Sequence, residues 1–240
     1  KRGMNDTVGE KGIGILGYRN IGESLKIISK TRLSTPYSLT IESGHFRIEK
    51  DTLESVGTNV YIYKIDTKSR LISQGKLTEY FKEKFRQYLS KATIELTVSD
   101  GKRSVKVMPE IYKGEPFPTF EQKTDYGIVT FSLFILPPRW DRAAHISVYR
   151  KGVLVTDELD QMAEFDNPVW KKNRVQGELT ADFCNITSGR SGFVRDIEFS
   201  EFVKAVKLIE PQLEKIILEE DQKSRSKETK EIYKRLSGVL

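Results

Sequence analysis

Gly9-Glu10-Lys11-Gly12-Ile13-Gly14-Ile15-Leu16-Gly17 places four glycines in nine residues. It lies between the polar run Asn5-Asp6-Thr7 and the apolar run Leu25-Lys26-Ile27-Ile28. Glycine at this density marks backbone that takes positive φ or comes very close to something. A glycine loop that opens a helix presents bare N–H groups, a common way to hold a phosphate. The alternative is a tight turn without a ligand. Ile13, Leu16 and Ile21 have the spacing of the buried side of a short helix, which Gly22 would end. Residues 1–10 are polar and aperiodic and read as a loop or lid.

Downstream of that stretch the pattern changes to period two. Residues 25–29 are apolar, 37–41 alternate, and 45–49 pair with them across Glu42-Ser43-Gly44 as a hairpin. Residues 57–65 alternate with apolar side chains on both faces, which suggests a central strand or one covered by helices. Residues 77–91 repeat Leu77, Phe81, Phe85 and Leu89 at helical spacing, with the ordinary reading of a core-facing helix. A second hairpin turns at Asp100-Gly101. Residues 113–124 carry two prolines and a glycine and mark the expected boundary between two domains, 1–115 and 125–240.

The second part opens with a strand over 126–136. A hairpin over 145–155 turns at Lys151-Gly152, Trp170 anchors an irregular acidic segment, and another strand covers 175–183. After Asn185-Ile186-Thr187-Ser188-Gly189-Arg190 a long helix begins near Val194, with acidic residues in its first turns to suit the macrodipole. Pro211 predicts a kink or restart. Residues 219–234 are highly charged and read as a solvated helix or frayed tail.

Composition narrows the classes. With 240 residues there is enough chain for a sizeable core. The longest apolar run, 128–136, is far short of the ~20 residues of a spanning helix, so no membrane role is expected. The single cysteine, Cys184, excludes an internal disulfide and suits a reducing cytoplasm. It reads as a buried structural thiol. The two histidines, His45 and His145, lack ligand spacing, which disfavours a zinc site. A net charge of +6 permits nucleic-acid contact without demanding it. The chain begins at Lys1, as a piece of a longer protein would.

The order of these signals, glycine loop, hairpin, then a strand opening on Gly57-Thr58, resembles the later half of the GHKL ATP-binding fold. That group includes DNA gyrase B, the ninety-kilodalton heat-shock chaperones, MutL-type repair proteins and histidine kinases. The resemblance implies an α+β chain. A partial Bergerat-type sandwich, a mixed sheet with helices, is followed by a transducer of ribosomal-protein-like β-α-β type and a long C-terminal helix. It implies that Gly9, Lys11, Gly12, Ile13 and Gly14 hold the phosphates of ATP, and that Thr58 lies in the adenine pocket. Asn185-Ile186-Thr187-Ser188-Gly189-Arg190 is similar to the chaperone loop Leu-Asn-Ile-Ser-Arg. On that likeness Asn185 contacts nucleotide and Arg190 reaches the γ-phosphate as the catalytic group. A guanidinium suits that task because its fork of donors matches phosphate oxygens. The bland alternative pairs Arg190 with Asp182 or Asp196.

The same resemblance exposes a departure. The fold's first half supplies a Mg²⁺-binding asparagine and an Asp-x-Gly-x-Gly segment, and neither occurs in this sequence. The implied partner is that missing half, in a cytoplasmic, homodimeric ATPase, with this chain alone inactive. Either a protein client or DNA would suit the parent. The alternative is a non-catalytic nucleic-acid-binding or protein-interaction module of MutL-like or MORC-like kind.

Overall fold

Almost every stretch of period-two alternation becomes a strand, and almost every glycine-bearing turn closes a hairpin. The computed structural model describes residues 13–65, 73–138, 140–141, 143–189 and 192–237, with backbone alone at 13–16 and 231–237. The chain is α+β, with an antiparallel sheet, a mixed sheet and a long C-terminal helix. Two compact units, Lys1–Thr78 and Glu79–Leu240, compose it.

In the first unit a 3-10 helix, Ile13–Asn20, precedes β1 (Gly22–Lys30) and packs against it. Tyr18 is buried there while Ile21 is exposed, so the tyrosine takes the place expected for Ile21. Gly22 starts the strand rather than merely ending the helix. A Cβ at Gly22 would lie 2.5 Å from the Tyr63 carbonyl oxygen, so the close strand approach requires glycine. β2 (Tyr37–Glu42) and β3 (His45–Lys50) form the expected hairpin, with positive φ at both Ser43 and Gly44. β4 (Gly57–Ile65) completes the order β3-β2-β1-β4, antiparallel throughout. The expectation that β4 is central is corrected here. Among the described residues β4 pairs with β1 alone and lies at the sheet edge.

The helix expected over 77–91 is two helices, α1 (Gln74–Lys84) and α2 (Arg86–Ser90), broken at Phe85. Two short hairpin strands, β5 (Thr97–Ser99) and β6 (Ser104–Lys106), follow. Asp100 Oδ1 accepts from the backbone N–H groups of Lys102 and Arg103 and fixes their turn. The proline-bearing stretch expected as a boundary instead enters the second unit's sheet. β7 (Glu115–Pro116) and β8 (Phe120–Lys123) both pair with β9 (Ile128–Ile135), and the units divide earlier, at Thr78/Glu79.

β10 (Ile146–Arg150) and β11 (Val153–Thr156) form a hairpin, and β12 (Val175–Ala181) lies between β10 and β9. β10 and β12 run parallel, and the chain crosses between them through β11 and α3 (Pro168–Lys171). Asn167 caps α3, its Oδ1 accepting from Val169 N–H at 2.8 Å. α4 (Ile197–Lys207) and α5 (Glu210–Ser237) close the chain, and Pro211 in the first turn of α5 gives the restart the sequence predicts. One face of the sheet (Phe131, Leu133, Leu179, Ala181) packs with Phe165, Phe199, Phe202, Val206 and Leu213 into the core. Trp170 Nε1 donates to Glu210 Oε1 at 2.6 Å, so the indole anchors the base of α5. Farther along, the buried Arg174 guanidinium meets Asp221 and donates from Nε to the Leu136 carbonyl at 2.8 Å. Beyond Asp221 no described side chain of α5 is buried.

At Gly177, in mid-β12, φ is +141° and a Cβ would fall 2.2 Å from the Ser132 carbonyl oxygen. Gly177→Ala is therefore expected to cost about 3 kcal/mol or more, through strain and overpacking at the centre of the sheet. Gly17→Ala, where a Cβ meets nothing within 4 Å, should change stability by less than about 0.5 kcal/mol. Urea unfolding of the two variants measures the contrast.

Candidate functional site

The candidate residues fall into two groups, one in each unit. In the first unit, Gly9, Lys11 and Gly12 lie outside the described residues. Ile13 and Gly14 form the first turn of the 3-10 helix, so the glycine stretch does run into a helical start. The first N–H groups of a helix have no partner within it, which is the feature a phosphate clamp uses.

Thr58 is the second residue of β4 and pairs with Ser29 in register. Their hydroxyl oxygens are 2.9 Å apart. Paired residues of an antiparallel sheet share a face. On the Thr58 face the registers therefore assemble two apolar rows: Phe46, Ile41, Leu25 and Ile62, then Ile48, Leu39, Ile27 and Val60. The outer members of these rows are open to solvent, Phe46 at 74%, Ile48 at 64% and Val60 at 58% exposure. Thr58 and Ser29 thus stand as a hydroxyl pair at the end of an apolar floor.

The opposite face is mixed, with Ile28, Tyr61 and Tyr63 beside Ser24, Lys26 and Ser38, and part of it is covered by the chain itself. Lys26 Nζ meets Asp51 at 2.7 Å, and Lys30 Nζ donates to the carbonyls of Leu53 and Glu54, so the segment after β3 folds over it. The hydrogen bond from Lys26, then that from Thr52 N–H, pulls the Asp51 carboxyl down to about 2.

In the second unit the loop between β12 and α4 has a fixed root. Val194 N–H donates to the Asn185 carbonyl at 2.9 Å, Thr187 N–H donates to the Gly192 carbonyl at 3.0 Å, and Ile186 bridges Phe193. Asp196 caps α4, with Oδ1 accepting from Phe199 N–H and Oδ2 accepting from Asn185 Nδ2, each at 3.0 Å. Those two bonds, the backbone one first, hold the Asp196 carboxyl below its ordinary range. Asn185 therefore positions the loop by tying it to the helix cap, and its amide N–H is engaged. Arg190 lies outside the described residues. Both alternative partners named for it already accept other donors, Asp196 as above and Asp182 from Lys151 N–H.

Other chemistry is limited. Burial pushes the Cys184 thiol up to about 12, which makes it a poor nucleophile. Among the described residues no three His, Cys, Asp or Glu side chains converge to hold a metal ion. No helix of the described residues is long and apolar enough to cross a membrane. Sequence reasoning missed a buried polar cluster in which Arg86 and Gln87 of α2 meet Glu178 and Thr180 of β12. No local pattern signals it, because the partners stand about ninety positions apart. Nearby, Glu83 hydrogen-bonds Asp157, and burial, then Asp157 and Glu110, raises its carboxyl above the ordinary 4.5, with His145 opposing.

A scan against known protein-family models and a search of curated proteins each return no match.

Two outcomes test this geometry. Asn185→Ala should leave the fold intact and speed hydrogen exchange at Val194 and Thr187, with a stability loss of about 1 kcal/mol. For Glu83, the folded state binds the proton more tightly than the unfolded chain, so ionising this carboxyl costs stability as pH climbs above 4.5. Glu83→Gln should raise the melting midpoint by a few degrees at pH 8 and leave it unchanged at pH 4, as read by thermal melts.

Proposed function

We propose that this chain is part of a GHKL-type, ATP-hydrolysing protein, its first unit the phosphate-clamping end of a Bergerat-type ATP-binding domain and its second a transducer. The observation that carries this reading is the hydroxyl pair of Thr58 and Ser29 at the end of an apolar sheet face. The exposed members of the two apolar rows, Phe46, Ile48 and Val60, need a covering layer, because a sheet gains its stability by burying one face. Amphipathic helices from the remaining half of an ATP-binding domain supply that layer, and the hydroxyl pair then borders a pocket with an apolar floor. This half is the principal partner. A second support is the rooted loop between a central strand and a capped helix, the setting a phosphate-sensing loop requires.

In this reading the amides of Gly9, Gly12, Ile13 and Gly14, with the Lys11 ammonium, hold phosphate oxygens. The Thr58 hydroxyl meets the adenine edge. Asn185 keeps the loop on the α4 cap so that Arg190 meets charge on the γ-phosphate. Mg²⁺, when bound, neutralises phosphate charge, and its asparagine ligand belongs to the half that this sequence does not contain. A population shift between open and closed states then follows the presence of the γ-phosphate. The parent is a cytoplasmic homodimer, and the loop spelling favours a protein client.

The full-length parent provides the test. Arg190→Ala should lower kcat for ATP by about 100-fold or more while changing ATP affinity little. Thr58→Val should weaken ATP binding about fivefold, the worth of one neutral hydrogen bond. Unchanged turnover in the arginine variant, or no hydrolysis by the parent, overturns the reading. The second reading, a nucleic-acid module, is favoured by exposed Arg225, Lys227 and Lys230 on α5. DNA affinity falling steeply with salt would select it.

A further inference from the structure

The two faces of the second unit's sheet are held by different physics. Toward the core, β12 presents Val175, Leu179 and Ala181 against α4 and α5. Its other face aligns two polar rows, Ser147 with Glu178 and Ser132, and Tyr149 with Thr180 and Thr130. This polar face is covered, since Ser147 and Tyr149 are buried. The cover is the end of α1 together with α2, and a set of polar contacts fastens it to the sheet. Arg86 pairs with Glu178 and lies 3.9 Å over the Tyr112 ring. Gln87 Nε2 donates to Thr180 Oγ1 at 2.7 Å. Tyr149 OH donates to the Glu83 carbonyl at 2.8 Å, and Tyr88 OH to the Lys151 carbonyl at 2.6 Å. Full apolar burial is limited to Leu89 of α2, while Phe81, Phe85 and Tyr88 are half-buried and α1 buries no residue fully.

Such a fastening opens at low cost. Each hydrogen bond is exchanged for one with water, and both charges of the Arg86–Glu178 pair recover the hydration they gave up on burial. An apolar interface of the same extent recovers nothing on opening.

We propose that Glu79–Ser90 is a releasable latch on the polar face of the second unit's sheet, one that opens as a unit while the core beneath α4 and α5 stays folded. α1 crosses the Thr78/Glu79 division, so the latched segment is also the covalent link between the two units. This inference stands on the second unit alone and is independent of any nucleotide chemistry.

Native-state hydrogen exchange on the whole chain tests it. The amides of Leu89 and Lys91, bonded to the Phe85 and Gln87 carbonyls, report the latch, and the amides of α4 around Val206 report the core. The latch amides should exchange at least about tenfold faster than those of α4. Glu178→Gln leaves the Arg86 charge under-compensated and should speed the latch amides about tenfold further, with α4 unchanged. The joint replacement Arg86→Met with Glu178→Leu makes the contact apolar and should slow the latch toward the α4 rate. Latch and core amides exchanging in step in the native protein overturn the proposal. If Glu178→Gln does not fold, the joint replacement decides: selective slowing of the latch upholds the proposal, and no change overturns it.

Discussion

β12 has β10 on one side and β9 on the other: all seven of its residues pair with β9, and Gly177 to Thr180 pair with β10 as well. The alternation along it partitions the second unit. Val175, Leu179 and Ala181 admit only an apolar layer, and α4 and α5 provide it through Phe199, Phe202 and Leu213. Glu178 and Thr180 face the other way and require donors and a cation, which α2 provides through Arg86 and Gln87, while Gln176 on the same face donates to the Lys113 carbonyl. Gly177 is the point where the strand passes the Ser132 carbonyl too closely for any side chain. A one-residue slip would invert both layers at once. The exit of β12 also fixes where the loop at Asn185 begins and where the α4 cap stands.

The first unit obeys the same alternation with a different outcome. One face is covered in part by its own chain, through Lys26, Lys30 and Asp51. Its apolar face keeps outer strands in solvent. Singly exposed apolar residues are ordinary on any protein, but two aligned rows crossing four strands form a surface of the kind that partners cover. The exposed outer members of the apolar rows, Phe46, Ile48 and Val60, give the proposed ATP-binding role its physical content.

Local chemistry was the legible part. Ser43-Gly44, Asp100-Gly101 and Lys151-Gly152 announced their hairpins because positive φ and Asx bonding are properties of the residues themselves. Pro211 announced the restart of α5 for the same reason. What failed depended on partners distant in sequence. β4 has apolar residues on both faces, yet its place at an edge was decided by β1 pairing first with β2 and then with β4. Residues 113–124 have the composition of a linker, yet Phe120 stacks on Phe131 and β8 joins the sheet. Of the candidate site, Asn185 stands at the root of its loop, with its amide tied to the α4 cap. The Arg86–Glu178 pair was invisible, since nothing near either residue calls for the other.

α5 rises about 1.5 Å per residue, so the part beyond Asp221 extends roughly 24 Å from the Arg174 contact. Held at its base by Trp170 through Glu210 and at its midpoint by Arg174, it is a pointer with two bearings. A tilt of about 10° at the second bearing carries the far end about 4 Å, given that length. Rearrangements of the core too small to alter any packing contact are thereby magnified at the tip into displacements that a neighbouring surface can feel.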